Sequence, residues 1–176
     1  MKITDITATP LTTGKSLVRI HTDVGIEGWA EGPGYNKILP SQNVVVFNAY
    51  LESVVKPVLI GEDPLQIDRH WETLAMGKDE YFYRLPASVV GVIDIALWDI
   101  LGKETGQPVF TLMGGAARKD ISLYWSVGSG WKMQPQDMLN LVQNGWDMGF
   151  RSFKIRMDWR GWRQDVNPAK DFAMFK

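Results

Sequence analysis

Seven residues near the end of the chain, Ser152-Phe-Lys-Ile-Arg-Met-Asp158, combine strand-forming side chains with a charge at every second position. Successive side chains of an extended strand point to opposite faces, so Phe153, Ile155 and Met157 share one face and Lys154, Arg156 and Asp158 the other. Where helices cover the apolar face, the charged row faces either the second covered side of a sheet or a barrel lumen. Charges buried there are tolerated only when paired or met by an anionic ligand. In a parallel barrel, charged side chains at the carboxyl end of a strand stand where catalytic groups sit. An edge strand with one wet face accounts for the same spacing.

The elements that must position this run are legible from hydrophobic period. Ile121 to Val127 is β-branched and aromatic, Pro135 to Met148 is amphipathic and ends at Gly149, and Ser152 to Met157 forms the second strand. Asn167-Pro168 supplies a cap and a first-turn proline for a further helix. Strand alternating with helix is the pattern of a parallel βαβ unit. Two parallel strands cannot cover themselves, because such sheets are normally buried on both faces.

Upstream the period differs. Ile3, Ile6 and Ala8, then Leu17, Val18 and Ile20, then Ile26, Trp29 and Ala30 alternate as three half-buried strands, joined by the polar loop Thr12–Ser16 and the short link His21–Gly25. This predicts an antiparallel meander. A helix capped by Ser41 and ended by Pro57 is expected next, then one from Pro64 capped by Asp63, then one from Pro86 to Lys103. The last of these is apolar almost all round, which predicts a buried helix. The fold class is thus an α+β domain, a three-stranded antiparallel meander plus helices, followed by the first βαβα portion of a (β/α) barrel.

Composition narrows the chemistry. The 176 residues carry 19 Lys plus Arg against 20 Asp plus Glu and no cysteine, which excludes disulfides, thiolate metal sites and cysteine nucleophiles. Residues 151–176 hold seven basic and three acidic side chains, yet no nucleic-acid recognition motif accompanies them. Val89 to Leu101 is too short to span a bilayer and contains Asp94 and Asp99. The N-terminus lacks the apolar core of a signal peptide, so no membrane or nucleic-acid partner and a cytoplasmic location are expected. Most of the eight tryptophans are expected in the core or a pocket wall.

Gly91 to Pro108, GVIDIALWDILGKETGQP, with Leu112-x-Gly-Gly115 after it, resembles the signature helix and turn of the mandelate racemase and muconate lactonizing branch of the enolase superfamily. The matching positions are Asp94-x-Ala-Leu-x-Asp99, Gly102-Lys103 and Pro108; Val92 departs from the small residue more common there. Gly25-Ile-x-Gly28-Trp-x-Glu31 also resembles the family's capping domain. The resemblance implies a capping domain over residues 1–118 and the start of a TIM-type barrel over 119–176, and so an N-terminal portion that is inactive alone.

It also implies abstraction of the proton alpha to a carboxylate, with the enediolate stabilised on Mg2+ and a Lys or His as base. By resemblance the second barrel strand carries a Lys-x-Lys pair, matched here by Lys154 and Arg156. Arginine stays protonated, so Arg156 is expected to act as a positive clamp and Lys154 as a substrate contact or acid. The base is expected on later strands, along with the metal ligands; Asp158 and Asp165 are not read as ligands. His21 reads as a strand-end residue and His70 as part of a cap helix. Two loops, Thr12–Ser16 and Pro33–Leu39, are implied to set specificity, with Tyr35 and Lys37 the side chains of hydrogen-bonding reach.

Trp159-Arg-Gly-Trp-Arg163, just past the second strand, combines aromatic and cationic groups suited to a sugar acid. Trp159 is therefore a candidate substrate contact; a solvated loop fits equally. The expected activity is an acid-sugar dehydratase working on a small carboxylate, as a homo-oligomer when full length. A racemase, epimerase or cycloisomerase of the same superfamily, or a non-catalytic association module built on the cap, are the alternatives.

Overall fold

A computed structural model describes residues 1–33, 43–76, 85–127 and 134–155. The chain forms two compact units, Met1–Ala116 and Ala117–Lys176.

The first unit opens with the expected meander: β1 (Ile3–Pro10), β2 (Ser16–Thr22) and β3 (Glu27–Gly32), antiparallel in the order β1-β2-β3. Alternation is cleanest in β2, where Ser16, Val18, Ile20 and Thr22 are buried and Leu17, Arg19 and His21 lie on the wetter face. Register places Thr7, Arg19 and Trp29 side by side across that face, with Asp5, His21 and Glu27 in the next row.

Helices α1 (Val44–Tyr50) and α2 (Lys56–Leu59) are joined without a break by a π turn, Leu51–Val55. Pro57 was expected to end this helix, and it does not. A proline interrupts a helix because it lacks a donor and its ring crowds the preceding turn; the wide turn just before it supplies room, with the Lys56 amide bonding the Leu51 carbonyl. The cap is Asn43 rather than Ser41, its side chain accepting from the Val45 amide at 2.9 Å. Helix α3 (Ile67–Met76) begins three residues later than the Asp63-Pro64 signal predicts. Asp63 instead accepts from the Leu65 amide and caps a turn.

Helix α4 (Ala87–Thr105) buries Val89, Val90, Ile93, Ala96, Leu97 and Ile100 in a core shared with the meander, Phe47, Leu51, Leu59 and Leu74. Its expected burial on all sides is corrected: Ile95 is 57% exposed. The sheet and α3 cover one side of the helix, and among the described residues of this unit nothing covers Ile95. Of the tryptophans, Trp29, Trp71 and Trp146 are exposed, Trp98 packs against the core, Trp125 is half-buried, and Trp131, Trp159 and Trp162 lie outside the described residues. Close approach of α4 to β3 depends on Gly28: a Cβ there would collide with the Ala96 carbonyl oxygen and stand 2.7 Å from Ile100 Cγ1. Helix α5 (Val109–Leu112) follows Pro108 and closes the unit.

In the second unit, β4 (Trp125–Val127) and β5 (Phe153–Ile155) pair in parallel around helix α6 (Pro135–Asp147). This is the expected βαβ crossover, although β4 is shorter than the run from Ile121; Ile121, Leu123 and Tyr124 precede the strand and are exposed. The Asn167-Pro168 helix, the end of the second strand and Ser41 itself lie outside the described residues.

Candidate functional site

Lys154 sits at the centre of β5, directly across from Ser126 of β4, with Trp125 opposite Phe153 and Val127 opposite Ile155. Its position is dictated by the pleat. Phe153 and Ile155 are half-buried on the face packed by α6, whereas Ser126 and Lys154 are exposed on the other. Helix α6 holds its face through Met138 and Gly145: a Cβ on Gly145 would lie 2.8 Å from the Trp125 ring and 2.9 Å from Phe153. The rings of Trp125 and Phe150 meet at a tilt, 4.9 Å between centroids. A hydroxyl and an ammonium on one open sheet face can donate hydrogen bonds to an anionic ligand. Arg156, Asp158, Trp159 and Asp165 lie outside the described residues, as do Tyr35 and Lys37.

A concavity of about 400 Å³ is lined by Ser122, Leu123, Met148, Gly149, Phe150, Arg151 and Ser152. These residues precede β4 and β5, so the hollow opens at the amino ends of the strands. Catalytic groups in parallel barrels gather at the carboxyl ends, and we therefore separate this hollow from the Lys154 face. Within it Arg151 lies over the Trp146 ring, 4.0 Å from its centroid, and donates to the Trp146 and Phe150 carbonyls; these contacts tie the helix end to the strand start.

Both histidines are engaged. His70 is buried, and its Nε2 lies 2.7 Å from the Asp63 carbonyl oxygen; a carbonyl only accepts, so that nitrogen carries the proton. His21 bridges Glu27 at 2.8 Å and the Thr7 hydroxyl at 3.1 Å on the wetter face of the meander. Beside it, burial opposes ionisation of Asp5, but bonds from Lys56 and the Ile6 amide outweigh this and hold its pKa below the usual value. Lys56 is raised, first by its bond to Glu52 and then, against its own burial, by Asp5. Asp94 is raised by burial and by the charge of Asp68.

The motif residues of α4 have an architectural task that spacing alone does not disclose. Asp99 accepts from the Trp29 amide at 2.8 Å and from Lys103 at 2.6 Å, and Lys103 also donates to the Glu27 carbonyl at 2.7 Å. The two side chains thus occupy the open edge of β3, whose unpaired groups would otherwise await another strand. Arg19 and Lys103 each stand 5.8 Å from the Trp29 ring centroid. The only sequence trace of this arrangement is the four-residue spacing of Asp99 and Lys103; their partners lie some seventy positions earlier. Among the described residues, no group of three His, Asp or Glu side chains could hold a metal ion, and no helix is long and apolar enough to cross a membrane.

Residues 6–114 match the family model of the mandelate racemase and muconate lactonizing enzyme N-terminal domain. The chain belongs to this family. It is 39% identical over 141 residues to a D-galactonate dehydratase family member of Streptomyces bingchenggensis, an alignment covering 79% of this chain and 32% of that protein. It is 34% identical over 158 residues to the D-galactonate dehydratase of Verminephrobacter eiseniae, covering 88% and 38%. Among solved structures, an enolase from Pantoea ananatis with bound D-gluconate and magnesium superposes with a TM-score of 0.69 at 25% identity, over 89% of this chain and 36% of that one. The chain spans about a third of the length of the curated relatives it matches. Asp99 and Lys103 are therefore the edge clamp of a family capping domain, and the parallel pair β4-β5 is the incomplete start of a barrel.

Proposed function

We propose that this chain contributes the cap, residues 1–118, and the first barrel strands, from 119 onward, to an acid-sugar dehydratase. The observation that carries the reading is the placement of Lys154 on the face of β5 that α6 leaves open, in a chain whose relatives are named for D-galactonate dehydration. The reaction removes the proton on C2 of an aldonate, expels the C3 hydroxyl as water, and leaves an enol that tautomerises to a 2-keto-3-deoxy acid. The C2 proton is weakly acidic because its removal places a second charge beside the carboxylate, so groups fixed at that carboxylate must carry positive charge. Lys154 supplies a compact ammonium there, and Arg156, two residues on, a planar fork that cannot act as base. Trp159, Tyr35 and Lys37 contact the polyhydroxy tail.

The relative from Pantoea ananatis binds magnesium. The described residues hold no group of three His, Asp or Glu donors for that ion; the family resemblance puts the ligands on later barrel strands, and no step is assigned to the ion. The working protein is a cytoplasmic homo-oligomer. The test is incubation of the gene product carrying this chain with D-galactonate, D-gluconate and their epimers. A 2-keto-3-deoxy product from at least one is the expected result; none across the panel removes the proposal.

A further inference from the structure

Among the described residues on the wetter face of the meander, charged side chains stand in contact pairs, and Arg19 departs from this. Lys15 bridges Glu31 at 3.1 Å, His21 bridges Glu27 at 2.8 Å, and at the β3 edge Lys103 bridges Asp99 at 2.6 Å. Arg19 lies half-buried at the centre of the face, between Thr7 and Trp29, and pairs with no carboxylate among the described residues. Its Nε is buried without a hydrogen-bond partner, and its guanidinium stands 5.8 Å from the Trp29 ring centroid. A buried N–H without an acceptor is costly, and the acceptor that suits a guanidinium best is a carboxylate. Trp29 is 43% exposed, with half-buried Leu17 on the same face. Tryptophan and arginine are enriched among the side chains that dominate binding energy at protein interfaces. At the β1 edge the imbalance has the opposite sign. Lys56 lies 3.0 Å from Asp5 and 2.6 Å from Glu52, so this trio carries one excess negative charge, and the Glu52 side chain is 67% exposed. A face with one unpaired cation and one excess anion is self-complementary under a two-fold rotation, which sets the cation of each copy against the anion of the other.

We propose that the wetter face of the meander is a two-fold contact between copies of this chain, in which Arg19 of each copy donates to Glu52 of the other and Trp29 is covered. The proposal rests on the homo-oligomer of the reading above and gives it a contact surface. Lys56 keeps Asp5 as its partner when Glu52 turns to the guanidinium, so the exchange leaves no cation unpaired. A planar guanidinium can meet a carboxylate through two parallel bonds, which fixes a register that apolar contact at Trp29 and Leu17 alone leaves open.

The test is sedimentation of the purified chain and its charge variants. The parent is expected to run as a dimer. Arg19→Glu and Glu52→Arg should each weaken association about a hundredfold or more, because each change occurs twice per dimer, and the double variant should regain it. A monomeric parent, a dimer that Arg19→Glu leaves intact, or a cooperatively folded double variant that stays monomeric overturns the proposal. Arg19→Met keeps the apolar stem and removes the unmet donor, so its thermal transition should be no lower than that of the dissociated parent, while association falls about tenfold or more. Unchanged association of this variant overturns the contact even if the charge reversals do not fold. Sedimentation is read without substrate: a dimer joined through this pair stands even if it dehydrates no acid sugar, and an active dehydratase whose copies do not meet here removes the contact alone.

Discussion

The two units solve the problem of covering a sheet to different degrees. In the first, three strands lay one face on α4, with Phe47, Ile93, Leu97 and Ile100 fully buried between layers, and the free edge of β3 is occupied by Asp99 and Lys103. In the second, two strands are covered on one face by α6, Met138 is the buried apolar side chain among its described residues, and Trp125 Nε1 is buried without a hydrogen-bond partner among them. Ile121, Leu123 and Tyr124 stand exposed before β4. Among the described residues, the first unit carries the family signature and a wetter strand face on which Arg19 stands over Trp29 and His21 bridges Glu27, while the second carries Lys154 on a face that α6 does not pack. The signature residues Asp99 and Lys103 thus serve as scaffold, and the proposed chemistry rests on the register that places Lys154.

This contrast can be broken most severely at Gly28. Gly28→Val drives a side chain into Ala96 and Ile100 and is expected to cost about 3 kcal/mol or more, seen as loss of the cooperative thermal transition of the first unit. Ile93→Ala leaves a cavity in the same core and should cost about 3 kcal/mol by denaturant titration. The units should also separate in hydrogen exchange, with β4 and β5 amides exchanging at least about a hundredfold faster than those of β2 and α4. Equal protection would mean that the second unit is far better covered than its described contacts show.

A smaller effect, about 1 kcal/mol, is expected from Asp99→Ala, because it orphans the Trp29 amide at an edge that is partly solvated. Its signature is faster exchange at Trp29 rather than a general loss of stability. The smallest effects are in pH. Asp5 titrates lower in the folded chain than unfolded, so its contribution is present above the unfolded value of 3.8 and lost as pH falls through the folded one. Asp94 is the reverse: its folded pKa is raised, so stability drops as pH rises from 3.8 through the folded value. Asp94→Asn should therefore raise Tm at pH 7 and leave it unchanged at pH 3.

Much of this was legible in the sequence. The meander, the long motif helix and the βαβ order follow from local period, and the side chosen by Lys154 follows from the pleat alone. What was not legible depended on distant partners. Pro57 reads as a stop because the widening of the preceding turn leaves no local mark, and α4 reads as buried because hydrophobicity does not say which neighbours cover it. The bonds of Asp99 to Trp29 and of Ser16 to Pro33 join positions seventy and seventeen apart, which no periodicity encodes.

The account turns on Lys154, and the most direct measurement is kcat/KM for aldonate dehydration by the gene product and its Lys154→Met variant. Removal of a fixed positive charge beside the developing enediolate should lower kcat/KM by about a hundredfold or more, with the thermal transition of the first unit unchanged. A variant that dehydrates as well as the parent would contradict the assignment of the open β5 face as the reacting site.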